Sequence, residues 1–229
     1  MNAASSVMPQ AHPRAQSWPI RIFGSWALWL SLALSVFAFN FVRALVTPIP
    51  EPLPVLGTLS SFALVDQHGE SFGSEQLAGK AWVANFIFTR CPTVCPAFTA
   101  KMGEIQHRSR GLGDSFHLVS FSVDPKYDTP AVLQAYAKEH RASSGAWSFL
   151  TGSLESIKAT VVEGLKIAMG NNSPDGNFAG IFHGSHFVLV DPKGQIRGYY
   201  DSNDADAVDR VLRDAGWLLN VGFGSDLAS

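Results

Sequence analysis

Apolar and polar positions divide this chain into three stretches of different texture. From Ile22 to Val42 no charged residue interrupts 21 positions rich in Leu, Ala, Phe and Trp. At about 1.5 Å of rise per residue, a helix of that length spans a hydrocarbon core of about 30 Å. Trp18 and Trp26 stand near one end, where interfacial aromatics gather. Next, Thr47-Pro48-Ile49-Pro50-Glu51-Pro52-Leu53-Pro54 places four prolines in eight residues, which excludes helix and central strand and predicts an extended, stiff spacer.

Beyond the spacer, strand-length and helix-length patterns alternate. Phe62–Val65 and Ser71–Phe72 read as a hairpin around Asp66-Gln67-His68-Gly69. Ala81–Phe88 and Phe116–Val123 are nearly continuous apolar runs, as in strands buried on both faces. A helix is predicted from Pro96 to about Ser109, with Phe98, Met102 and Ile105 inward. A second runs from Pro130 to His140 behind a Thr129 cap. Trp147–Leu150 is a short strand. Ser153–Ile167 is a helix whose stripe is Leu154, Ile157, Val161, Val162 and Leu165. Gly170–Gly180 is a polar loop, His186–Val190 and Gln195–Tyr200 a hairpin, and Asp204–Leu219 a closing helix. The order βαβαβα then ββα predicts an α/β domain with a mixed sheet flanked by helices, for which a thioredoxin-like arrangement fits.

Charge sharpens the layout. The 229 residues carry 17 basic and 19 acidic side chains, a net charge of −2, so there is no basic surplus for nucleic acid. Setting aside Arg14, Arg21 and Arg43 leaves 14 basic against 19 acidic residues, about −5 for a solvated outer domain. Arg14 and Arg21 precede the apolar span and no acidic residue appears before Glu51, which predicts a cytoplasmic N-terminus and an outer bulk. A cleaved signal peptide has an apolar region of about 7–15 residues, so an uncleaved anchor is expected. The expected organisation is a cytoplasmic tail over 1–21, a transmembrane anchor over 22–42, a proline-rich linker over 43–57, a globular domain over 58–220 and a tail over 221–229. The domain is placed in a bacterial periplasm; a mitochondrial intermembrane space satisfies the same tether.

The chain has only two cysteines, too few for a disulfide scaffold or a four-cysteine zinc or iron–sulfur site. They stand four apart in Cys91-Pro92-Thr93-Val94-Cys95-Pro96, where a buried strand gives way to a helix. Each proline disfavours helical geometry in the cysteine before it, so a tight loop over 91–95 with Cys95 at the helix cap is expected. Helix-end amides and Arg90 favour thiolate there. The residues leave three readings open: two inert small hydrophobes, a redox dithiol one residue wider than Cys-x-x-Cys, or a pair of soft ligands for Cu(I) that needs a third donor such as imidazole.

Asn85-Phe86-Ile87-Phe88-Thr89-Arg90-Cys91-Pro92-Thr93-Val94-Cys95-Pro96 closely resembles the signature of the Sco/SenC family, membrane-tethered, thioredoxin-like copper proteins of cytochrome c oxidase assembly. Phe121-Ser122-Val123-Asp124-Pro125-Lys126-Tyr127-Asp128-Thr129-Pro130 and His183-Gly184-Ser185-His186-Phe187-Val188-Leu189-Val190-Asp191-Pro192-Lys193-Gly194 are similar to two further family blocks. The resemblance covers roughly residues 58–218. It implies copper, Cu(I) and also Cu(II), held by Cys91, Cys95 and one histidine. Spacing to the Pro-Lys-Gly turn puts that histidine at His183, with His186 as rival. Read as one strand, the two would face opposite ways, and the polar loop before His183 would let it swing onto the metal.

The resemblance also places Asp124 near the metal loop. As residues alone, Asp124 reads equally as a turn former before Pro125, and Arg90 as a counter-charge to two thiolates or a surface cation. His68, His107, His117 and His140 have ordinary structural or solvated roles as the default, and His12 lies on the cytoplasmic side. The implied function is a metallochaperone for the CuA centre of cytochrome c oxidase subunit II, supplied by an upstream copper donor or thiol reductant. The resemblance implies a carrier rather than an enzyme, with an accessory thiol–disulfide reductase activity that does not exclude the carrier role. The alternative is a membrane-anchored thiol:disulfide oxidoreductase using the Cys91/Cys95 pair. Against it, no proline stands between Phe182 and Val190, where thioredoxins place one.

Overall fold

The computed structural model describes residues 26–46, 52–91, 95–173 and 181–225, with backbone alone described for 44–46, Cys95 and 221–225. Two compact units divide at Glu51 and Pro52. In the first, helix α1 (Trp26–Val46) contains an 18-residue stretch, Trp26–Arg43, long and apolar enough to cross a membrane, with all of its side chains exposed. Residues 22–25 of the expected anchor lie outside the described ones. The helix runs four residues past the expected end at Val42, because Arg43 as a single cation near a helix C-terminus does not stop it.

The second unit begins with the two-residue strand β1 (Gly57–Thr58), inside what had been assigned to the linker at Gly57. The expected hairpin follows as β2 (Ala63–Val65) and β3 (Ser71–Gly73). Its turn is set by the Asp66 carboxylate, which accepts the amides of His68 and Glu70, and by Gly69 at φ +82°. A one-turn helix α2 (Ser74–Leu77) leads into β4 (Ala81–Ile87), α3 (Cys95–Arg108), β5 (Phe116–Ser122), α4 (Pro130–Glu139) and β6 (Trp147–Leu150). Thr129 caps α4 as expected, accepting from Val132 N with Pro130 in the first turn. Then come α5 (Leu154–Lys158), β7 (Met169–Asn171), β8 (Ile181–His183), β9 (His186–Val190), β10 (Gln195–Asp201) and α6 (Ala207–Ser225).

The main sheet has the order β1-β10-β9-β4-β5-β6. β4, β5 and β6 run parallel, while β9 is antiparallel to β4, and β10 to β9. Every residue of β4 and β5 is buried, which is why both read as continuous apolar runs. Alternation still sorts their side chains. Ala81, Val83 and Ile87 meet α3, α4 and α6, through Met102, Ile105, Leu133, Val211 and Ala215. Trp82, Ala84 and Phe86 meet α5 and the β2–β3 hairpin. The mixed sheet flanked by helices is the thioredoxin-like arrangement that the element order predicts. At the far edge, Phe149 N donates to the Gln67 side chain at 2.8 Å, and Val65 and Thr151 exchange backbone hydrogen bonds.

Three elements differ from expectation. The helix read over Ser153–Ile167 is regular only to Lys158 and continues as a π-turn to Gly164. Ile157, Val161 and Leu165, spaced by four, share one face and are fully buried. Val162, one step off that face, is exposed, as is Leu154 in the first turn. The Gly170–Gly180 loop is in part the antiparallel pair β7–β8, with Met169 opposite His183; residues 174–180 lie outside the described ones. The closing helix starts three residues later than expected, because Asp204 to Asp206 are spent on a turn, and it runs on through Ser225. The assigned tail over 221–229 is therefore helical to 225, with 226–229 outside the described residues.

His117 on β5 is buried, stacks on Phe72 at 5.6 Å and shares a 3.0 Å hydrogen bond with Ser148 Oγ. Burial, aided by the Lys80 cation, pulls its imidazole down to about 4. Between pH 6.5 and about 4 the unfolded chain takes up a proton that the folded chain refuses. Stability is therefore complete above pH 6.5 and falls as pH drops through that window, by about 3 kcal/mol at roughly 1.4 kcal/mol per pKa unit. Urea unfolding across this range should show the slope, and His117→Gln should remove that part of it.

Candidate metal centre

Strand β4 ends at Ile87, and the buried Phe88 continues its path. The chain then turns tightly, with Cys91 N donating to the Phe88 carbonyl at 3.1 Å. The turn carries Cys91 into the apolar layer that holds Phe88 and Ile167, where it is 8% exposed. Helix α3 opens at Cys95, so Pro96 stands in the first turn, where its missing N–H breaks no helical bond. Residues 92–94 and the Cys95 side chain lie outside the described ones, and so does the expected convergence of the two sulfurs.

His183 arrives from β8. Its ring lies edge-on to Phe88, with centroids 6.0 Å apart, and to Phe98 at 6.4 Å. Those phenylalanines stand three residues before Cys91 and three after Cys95, so the imidazole rests against both flanks of the cysteine segment. Its Nδ1 is 3.1 Å from the Gly184 carbonyl. A carbonyl only accepts, so the hydrogen sits on Nδ1 and the lone pair on Nε2. Burial lowers the His183 pKa, and the bond to Gly184 opposes that shift. The outcome favours the neutral ring, the form that binds a metal.

The histidine is held from behind. Gly184 N donates to the Ala168 carbonyl at 2.9 Å, and a Cβ on Gly184 would come within 2.9 Å of Ile167 Cγ2. His183 thus sits at the base of the paired β7–β8 hairpin. His186 is separated from it by Gly184 and Ser185 and heads β9, opposite Asp201 of β10. The two histidines therefore stand on different strands of different sheets. The single strand expected across them is interrupted at Gly184, where the close approach of Ile167 turns the chain.

Asp124 and Arg90 do meet beside Cys91. The buried Asp124 carboxylate accepts from Arg90 Nη2 at 2.5 Å and Nε at 3.2 Å, and the guanidinium lies 4.2 Å above the Tyr127 ring centre. The Asp124 main chain also forms the anticipated turn, its carbonyl accepting from Tyr127 N and Asp128 N. One residue escaped the sequence reading. Asp128 is 0% exposed, and its carboxylate accepts from Thr89 Oγ1 at 2.5 Å, Ser122 Oγ at 2.6 Å and Thr89 N at 3.2 Å. Burial raises its pKa, while the bonds from Ser122 and Thr89 work against that. Its place in the Tyr127-Asp128-Thr129-Pro130 block was the available signal.

The donor set suits a soft cation: a cysteine sulfur, a neutral imidazole, and an apolar surround of phenylalanines that strengthens ligand bonds. Among the described residues no three His, Cys, Asp or Glu side chains form a complete metal cluster; the Cys95 sulfur is not among them.

The model of the family described as SCO1/SenC matches residues 55–218. The SCO1 protein homolog of Bacillus subtilis is 32% identical over 162 residues, covering 70% of this chain and 82% of that protein. Among solved structures, that of BsSco, described as a member of the Sco family of cytochrome c oxidase assembly proteins with a disulfide switch, aligns with a TM-score of 0.63. It is 32% identical and covers 74% of this chain and 96% of that one. Yeast Sco1 with copper bound aligns with a TM-score of 0.56 at 28% identity, covering 70% of this chain and 88% of that one.

Proposed function

The chain belongs to the SCO1/SenC family, and from that premise we propose that it is a copper-binding protein of cytochrome c oxidase assembly whose ligands are Cys91, Cys95 and His183. The observation that carries the ligand set is the packing of His183 on Phe88 and Phe98, with Nδ1–H turned to Gly184. Two cysteines and one imidazole are a soft donor set suited to Cu(I), and the neutral ring costs no deprotonation on binding. Copper is cargo in this reading. The protein takes it from an upstream donor, holds it as Cu(I) or Cu(II), and passes it to the CuA centre of subunit II. Helix α1 serves as the membrane anchor, with the N-terminus cytoplasmic and the domain periplasmic, as the arginines before the span and the absence of acids there favour.

A second role has its own support. The BsSco relative is described with a disulfide switch, and a Cys91–Cys95 disulfide in this chain would make it a thiol:disulfide partner for the same client. In an oxidising compartment copper loading then competes with that disulfide.

Titration of the reduced protein with Cu(I) against a competing chelator tests the reading. One equivalent should bind tightly. His183→Ala should weaken binding by about 100-fold, as for loss of one ligand, and His186→Ala by less than about twofold. The reverse order would sink the ligand assignment. Absence of copper binding together with fast turnover of a disulfide substrate would replace the carrier by the oxidoreductase.

A further inference from the structure

Resting on the copper reading, we propose that Asp128 is a positioning residue of the metal centre: its carboxylate anchors Thr89 and so fixes where the Cys91 turn begins. The carboxylate joins three segments. Thr89 follows the end of β4 and precedes Cys91 by two residues, Ser122 ends β5, and Asp128 itself leads into α4. Thr89 donates to it twice, through its amide and its hydroxyl, across 39 residues of sequence. Both donors of one residue are thereby committed to one acceptor, which restrains the backbone at 89. Thr89 lies inside the turn closed by Cys91 N on the Phe88 carbonyl, which leads directly to the Cys91 side chain.

Stability alone does not account for the group. Asp128 is fully buried, and among the described residues it forms no ion pair with Lys, Arg or His. A carboxylate withdrawn from water without a cation is costly, and apolar residues of similar volume usually serve a core at least as well. Nor does its carboxylate cap α4, since Thr129 does that with its own hydroxyl. Its three donors are what it organises. Ser122 Oγ, which donates to Asp128, also accepts from Asp124 N at 3.1 Å, so the same small network holds the Asp124 backbone.

The test uses the full chain in detergent micelles, starting with Cu(I) competition on the unaltered protein. Thr89→Val and Asp128→Ala should each lower Cu(I) affinity by about 10–100-fold, the usual effect of losing an outer partner of a ligand. Combined, the two should cost no more than the larger one, because they cut the same tie. Thr89→Ser, which keeps the hydroxyl, should restore affinity to within about threefold of the parent. In the metal-free proteins, amide exchange over 88–91 should quicken at least about tenfold in both variants, with β9 and β10 unchanged. If Asp128→Ala does not fold, Thr89→Val carries the test alone. Affinity within about twofold of the parent in Thr89→Val, or exchange that quickens equally over the whole sheet, overturns the proposal. Failure of the unaltered chain to bind Cu(I) defeats the copper reading instead, and the exchange experiment still decides whether Asp128 governs the turn.

Discussion

Cys91→Ser and Cys95→Ser together abolish stoichiometric Cu(I) binding, with affinity reduced by at least about 1,000-fold in chelator competition. The size follows from ligand chemistry: thiolate is a soft donor matched to Cu(I), whereas a serine hydroxyl stays protonated at neutral pH and is a hard donor. His183 alone cannot hold the ion. Each single variant should lose most of the affinity, because the remaining sulfur and imidazole make at best a two-point site. The fold should survive. The turn to Phe88 is made by the Cys91 backbone and not by its sulfur, so a urea midpoint close to the parent's separates lost ligation from lost structure. A double variant that still binds one Cu(I) tightly would remove both cysteines from the site.

The largest expected effect on stability is at Phe121. This β5 side chain is fully buried, and its ring has Phe62 at 5.8 Å, Phe86 at 6.1 Å and Trp82 at 6.4 Å. The cluster ties the central strands to the β2–β3 hairpin. Phe121→Ala removes the shared member and leaves a cavity that rigid neighbours on three sides cannot close. A loss of about 3–5 kcal/mol in urea unfolding is expected. Leu154→Ala is the control: the sequence stripe counted Leu154 as core, yet it is exposed, and the change should stay within about 0.5 kcal/mol.

These two positions show how far the sequence reaches. Buried strands such as Ala81–Ile87 and Phe116–Ser122 are legible because burial on both faces leaves only apolar or small residues. Caps and turns are legible too, because Thr129, Asp66 and Asp191 act on amides only two to four residues away. The α5 stripe holds at Ile157, Val161 and Leu165 but not at Leu154 and Val162, which are apolar yet exposed, and no local signal announces the π-turn that follows Lys158. The β7–β8 pair escaped because three-residue strands carry too little alternation to stand out. At the site, local sequence marks Cys91, Cys95 and the histidine block, but not the tie between Thr89 and Asp128. That contact is made by the parallel pairing of β4 with β5, which brings their C-terminal ends side by side.

The closure of β6 has a further consequence. An outermost strand normally offers a row of bare amides on which a second chain can build a cross-strand ladder. Here the outward amide of Phe149 is taken by the Gln67 side chain, and that of Thr151 by the Val65 carbonyl. The β2–β3 hairpin acts as a guard rail, made of one side-chain amide and one pair of backbone bonds. Crowded copies of the domain meet a β6 border whose outward amides at Phe149 and Thr151 are already bonded, which leaves less of a template for strand-on-strand growth.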